Sequence, residues 1–150
     1  MAQSLSNILI HIIFSTKKRL PYIKSEIEKE LHSYIVGIAK EHGSHVYEIG
    51  GVEDHIHILA SLSRTMTASK LIEELKKGSS KWIKTKNAQY FDFSWQNGYA
   101  ALSIGYSNVK ALRGYIQNQK EHHKKTSFQD EMRLFLNKYN ITFDEKYIWE

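Results

Sequence analysis

Along this chain the spacing of apolar residues switches from a period of two to one of about 3.6 and back, twice, and that order leaves few ways to build a sheet. Residues 5–14 carry apolar side chains on both faces, Ile8, Ile10 and Ile12 against Leu9 and Ile13, as a strand inside a sheet requires. Lys17-Lys18-Arg19-Leu20-Pro21 breaks the pattern. Residues 23–42 then show helical spacing through Ile27, Leu31, Tyr34, Ile35 and Ile38, stopping at Gly43. Two strands are expected at 45–49 and 54–62 around a Gly50-Gly51 turn. An amphipathic helix over 65–84 follows, with a buried stripe of Leu71, Ile72, Leu75, Trp82 and Ile83.

Residues 91–95 and 99–104 flank Asn97-Gly98, a dipeptide suited to the positive φ angles of a two-residue turn, so a closing hairpin is expected. A third helix over 107–125, a short fourth one capped by Thr126 or Ser127 and running to 138, and an aromatic tail of Phe143, Tyr147 and Trp149 complete the chain. Strand, helix, strand, strand, helix, strand is the order of an α+β, ferredoxin-like split βαβ fold, an antiparallel sheet with helices on one face.

At 150 residues the chain is sized for one domain, 1–150. With no cysteine, disulfides, thiolate metal sites and a cysteine nucleophile are excluded together. The longest apolar stretch is too short to span a bilayer and no signal-peptide pattern opens the chain, so no membrane partner and a cytoplasmic location are expected. Lysine and arginine exceed aspartate and glutamate by 21 to 16, a formal charge of +5, which favours a polyanionic partner without naming one.

Chemistry concentrates in two places. In Asp54-His55-Ile56-His57-Ile58-Leu59 the period of a strand aims both imidazoles to one side while the isoleucines anchor the other, so His55 and His57 are candidate metal ligands. The plain alternative is two solvent-facing histidines. In Tyr115-Ile116-Gln117-Asn118-Gln119 a helical spacing of four brings a phenol and an amide to one face; an ordinary packing tyrosine beside a surface glutamine is the alternative.

Together these motifs resemble the His-hydrophobe-His single-tyrosine transposases of small insertion sequences, which move as single-stranded DNA. The resemblance extends to Gly50-Gly51 before the histidine strand and to Phe93-Ser94-Trp95-Gln96-Asn97-Gly98-Tyr99. It implies that the third helix is a C-terminal catalytic helix with Tyr115 as nucleophile, and that His55, His57 and Gln119 hold Mg2+ or Mn2+. It also implies a single-stranded DNA substrate with hairpin ends, and a homodimer in which each tyrosine helix completes the other subunit's site. A phosphotyrosine bond keeps the energy of the broken phosphodiester, so the freed 3′-hydroxyl can reseal it without a further energy source.

Further candidates are His122 and His123 near the metal, with a solvated basic helix end beside Lys120, Lys124 and Lys125 as the alternative. Lys17, Lys18 and Arg19, and Lys70, Lys77, Lys81 and Lys84, are candidate phosphate contacts. Trp95 is a candidate for stacking on an unpaired base, with burial in the sheet as the alternative. Plasmid relaxases place their tyrosine before the histidines, and rolling-circle initiators put lysine where Gln119 stands, so motif order favours the transposases. A host-domesticated relative that processes repeated palindromes shares the same residues. The rival from another class, a non-catalytic ferredoxin-like nucleic-acid-binding module, lacks its usual RNA-recognition signature in this chain.

Overall fold

The computed structural model describes residues 2–149. Its elements are β1 (Leu9–Ser15), α1 (Ser25–Glu41), β2 (Val46–Val52), β3 (His55–Ser61), α2 (Ala68–Ile83), β4 (Ala100–Ile104), α3 (Val109–Gln117), α4 (Gln119–His122) and α5 (Phe128–Lys138). The four strands lie in the order β2-β3-β1-β4 with every neighbouring pair antiparallel. That is the ferredoxin-like arrangement expected from the order of periodicities. Among the described residues no helix is long and apolar enough to cross a membrane.

The sheet divides two kinds of packing. On one face Ile10, Ile12 and Phe14 of β1 and Ile56, Ile58 and Ala60 of β3 meet Leu31 and Ile35 of α1 and Leu71, Ile72 and Leu75 of α2. Each large side chain buried there contributes about 1.5–3 kcal/mol. On the other face Ile13, Ala100 and Leu102 lie against Phe128 and Met132 of α5, and Leu59 lies against Leu112 and Ile116 of α3. The two crossover helices thus cover one face, and the C-terminal helices cover the other. Ile13 pairs with His57 and Ser15 with His55 across the two central strands. Alternation along β3 therefore turns both histidines toward α3, α4 and α5.

Three local expectations need correction. Gly50-Gly51 is not a turn: both glycines lie inside β2, and the chain reverses at Glu53-Asp54. The reason is steric, because a Cβ on Gly50 would stand 2.7 Å from the Ile116 carbonyl oxygen, and one on Gly51 only 2.2 Å from that of His55. A bare strand surface lets α3 settle on the sheet.

The closing hairpin does not form either. Residues 91–95 are not a strand, Trp95 makes a single bridge to Thr16, and β4 pairs with β1. Gly43 is the one glycine with positive φ among the described residues, so Asn97-Gly98 does not form the expected turn. Instead the Lys76 ammonium donates to the carbonyls of Gln96, Asn97 and Gly98 at 2.7, 3.2 and 2.8 Å. The third helix, finally, breaks at Asn118 (φ −95°, ψ 15°) into α3 and α4.

Burial lowers the Lys76 pKa from 10.5 to about 8. Between these values the unfolded chain holds a proton that the folded chain has lost, so stability rises with pH from about 8 to 10.5. Urea midpoints measured across that window are expected to climb in the wild type and to flatten in Lys76→Met. The variant should also lose about 1–3 kcal/mol at pH 7 through the three uncapped carbonyls. An identical slope in both proteins would contradict this placement of Lys76.

Candidate metal and nucleophile site

At the centre of the α3–α5 face stands Glu131, a carboxylate 1% exposed. Its position follows from α5: Phe128, Glu131, Met132 and Leu136 are that helix's buried residues, so a helical stripe facing the sheet carries one acid among apolar side chains. Ser127 caps the helix by accepting from the Asp130 N–H at 3.1 Å. One carboxylate oxygen, Oε1, lies 3.0 Å from His57 Nε2, 3.1 Å from His123 Nε2 and 3.3 Å from His55 Nε2. The other, Oε2, accepts from the Tyr115 hydroxyl and from Gln119 Nε2 at 3.0 Å. His122 Nε2 is 3.4 Å from the same oxygen and 3.3 Å from the Tyr115 hydroxyl.

The far side of each imidazole is also engaged. Asp54 Oδ1 accepts from His55 Nδ1 at 2.7 Å, the Thr126 carbonyl accepts from His123 Nδ1 at 2.6 Å, and His57 Nδ1 lies 2.8 Å from His11 Nε2. With Nδ1 engaged outward, every Nε2 is aimed at the centre, the orientation that a metal-ligating histidine needs. One ligand atom each from His55, His57, His123 and Glu131 falls within 4.8 Å of all the others. Gln119 Oε1 is 3.1 Å from His55 Nε2, which adds an amide oxygen. Imidazole nitrogens with carboxylate and amide oxygens form a donor set that fits a divalent transition metal.

Electrostatics follows from this crowding. Burial alone would raise the Glu131 carboxyl, but hydrogen bonds from His123, His55 and His57 outweigh it and hold that group far below the usual carboxylate range. Burial opposes charge on His55 as well, yet its hydrogen bonds to Asp54 and Glu131 lift it above its ordinary value. His57 is pushed down by burial despite Glu131, and His11 falls to about 3 through burial and the neighbouring His57. Burial and then the Glu131 carboxylate push the Tyr115 phenol well up. Tyr115 is therefore held protonated. It lines an open cleft with Gly114, Gln117, Asn118 and His122.

The structure thus brings together His55, His57, Tyr115, Gln119, His122 and His123, all within one chain. The broken helix does not part Tyr115 from Gln119, since both reach Glu131 Oε2 from either side of Asn118. Other candidates lie elsewhere. Exposed Lys70, Lys77, Lys81 and Lys84 belong to α2 and its end, across the sheet from the histidines, and Lys70 and Lys77 pair with Glu74. Lys17 and Lys18 are exposed in the turn after β1, whereas Arg19 is half-buried, with its guanidinium over Trp149. Trp95 is 7% exposed, edge-on to Phe14 and Phe93, and its indole N–H donates to Ser79 Oγ at 2.9 Å. No face is left for a base, so Trp95 is a core residue.

Glu131 and His11 escaped the sequence reading. Both carry a weak signal that could have found them: a lone acid on the apolar stripe of α5 and a lone histidine among the isoleucines of β1, where burial demands a partner.

A family model described as IS200-like transposase matches residues 4–119. Among solved structures, a candidate transposase from Deinococcus radiodurans R1 shares the fold with a TM-score of 0.62 at 20% identity, covering 79% of this chain and 98% of its own. A REP-associated tyrosine transposase bound to a REP hairpin has a TM-score of 0.60 at 15% identity, covering 82% of this chain and 74% of its own. No curated protein matches the sequence.

Trp95→Phe keeps the ring packing and removes the bond to Ser79. It is expected to lower the denaturation midpoint by the equivalent of about 1 kcal/mol and to leave affinity for single-stranded oligonucleotides unchanged. A loss of DNA affinity with unchanged stability would return Trp95 to the DNA-contacting surface.

Proposed function

This chain belongs to the IS200-like transposases, and from that membership we propose that it cuts and rejoins single-stranded DNA at hairpin-bearing element ends with Tyr115 as the nucleophile. The observation that carries the proposal is the meeting of the Tyr115 hydroxyl with a buried carboxylate ringed by His55, His57 and His123. A phenol in contact with a prospective metal centre is the constellation that phosphodiester transfer to tyrosine requires.

In the cleavage step the Tyr115 phenol gives up its proton as its oxygen bonds to phosphorus, the bond from phosphorus to the 3′ oxygen breaks, and the departing oxygen takes up a proton to leave as a 3′-hydroxyl, so one proton is released and one taken up. Attack by a 3′-hydroxyl on the phosphotyrosine reverses the step and joins strands. His55 and His57 with Gln119 would hold Mg2+ or Mn2+, and an ion there would supply positive charge to the phosphate. Asp54 orients His55, and the His122 ring beside the phenol helps place Tyr115.

The hairpin enters this reading from the fold shared with a protein held on a REP hairpin. Because α2 covers the face opposite Tyr115, Lys77, Lys81 and Lys84 suit the hairpin stem, while Lys17 and Lys18 suit the approaching strand. The dimer belongs to the same reading. Since Tyr115 lies beside His57 of its own chain, a site shared between subunits requires the tyrosine helices to exchange.

Purified protein is incubated with end-labelled single-stranded element ends and Mn2+, then resolved on a denaturing gel. The wild type is expected to give a covalent protein-DNA adduct and a shortened strand, both abolished by Tyr115→Phe and by EDTA. Binding without cleavage on verified ends, or an adduct that persists in Tyr115→Phe, would overturn the proposal.

A further inference from the structure

We propose that His123 and Glu131 are metal ligands, so that the centre is completed by a part of the chain beyond residues 4–119, which carry the family match. The inference deepens the proposed function and rests on it. Three observations support it.

The first is spacing. Donor atoms around one ion, at bond lengths of about 2.0–2.2 Å, lie about 3–3.5 Å from their neighbours. Glu131 Oε1 stands 3.0, 3.1 and 3.3 Å from the Nε2 atoms of His57, His123 and His55, the separation of neighbouring donors in one coordination shell, and a ligand atom from each of the four residues lies within 4.8 Å of all the others. The second is orientation. The Thr126 carbonyl takes the Nδ1 proton of His123 as Asp54 takes that of His55; backbone carbonyl and carboxylate are the usual outer partners of metal-bound histidines. His123 is therefore prepared in the same way as a residue of the His-hydrophobe-His strand, though it comes from the turn after α4. The third is charge. Glu131 is the one buried acid among the described residues, and its surroundings are imidazoles, a phenol and an amide, none of which is negative in its resting form. A divalent cation entering among them meets one compensating carboxylate.

Three imidazoles and a carboxylate make a harder home for Mg2+, which prefers oxygen ligands and retained water, than for Mn2+ or another first-row ion. Metal binding also fastens α5 to β3. The helix carrying Glu131 becomes part of the centre, and the other oxygen of the same carboxylate holds Tyr115.

The full chain is titrated with Mn2+ by calorimetry, and the bound ion is examined by electron spin-echo spectroscopy, which counts coordinated nitrogens. One site is expected, with three imidazole nitrogens in the wild type and two in His123→Ala. Affinity should fall at least about tenfold in His123→Ala and in Glu131→Gln, and about a tenfold excess of Mg2+ should leave Mn2+ in place. Circular dichroism reports whether each variant folds; if Glu131→Gln does not, the nitrogen count and His123→Ala carry the test. Two nitrogens in the wild type, displacement by Mg2+, or unaltered affinity in both variants while His55→Ala loses the site would overturn the inference and leave the tyrosine reading intact. Failure of the wild type to bind any divalent ion would overturn both.

Discussion

A carboxylate buried to 1% exposure cannot be left alone: its desolvation costs several kcal/mol, and removing the partners of such a charge typically destabilises a protein by about 3–5 kcal/mol. Glu131 is satisfied by groups from four places at once, His55 and His57 on β3, Tyr115 on α3, Gln119 on α4 and His123 in the turn beyond it. Apolar contacts such as Phe128 and Met132 on Ile13 hold α5 against the sheet, but they tolerate sliding. The hydrogen bonds around Glu131 do not. They fix the register of α5 along β3 and, through the second carboxylate oxygen, the place of the nucleophile.

The sheet supplies the rigidity that makes such convergence possible. Both histidines stand on a central strand, flanked by β2 and β1, with Ile56 and Ile58 locked into the opposite core. Gly50 then lets α3 approach β2 more closely than any side chain would allow, and the break at Asn118 turns α4 so that Gln119 enters the same centre as Tyr115. The bare strand and the interrupted helix are therefore conditions of one site.

What could be read from sequence was what is local. Strand alternation placed His55 and His57 on one face, and the order of periodicities gave the sheet topology, because both depend on spacing within an element. Tyr115 and Gln119 were found through the pattern they share with a known kind of transposase, but the straight helix assumed for them does not exist. Glu131 was not found, since it lies far along the chain from His55 and His57 and its meaning comes only from the neighbours that folding gives it. The closing hairpin failed for a related reason. Asn97-Gly98 has the composition of a tight turn, yet Lys76 gathers three successive carbonyls and Trp95 is drawn into the core against Phe14, tertiary contacts that outweigh local turn preference.

Anomalous diffraction from crystals of the full chain soaked in Mn2+ tests the convergence on Glu131 most directly. A single peak is expected among His55 Nε2, His57 Nε2, His123 Nε2 and Glu131, at about 2.0–2.3 Å from each donor. A peak bounded by His55, His57 and Gln119 alone, with Glu131 and His123 turned away, would contradict the central place of that carboxylate in the site.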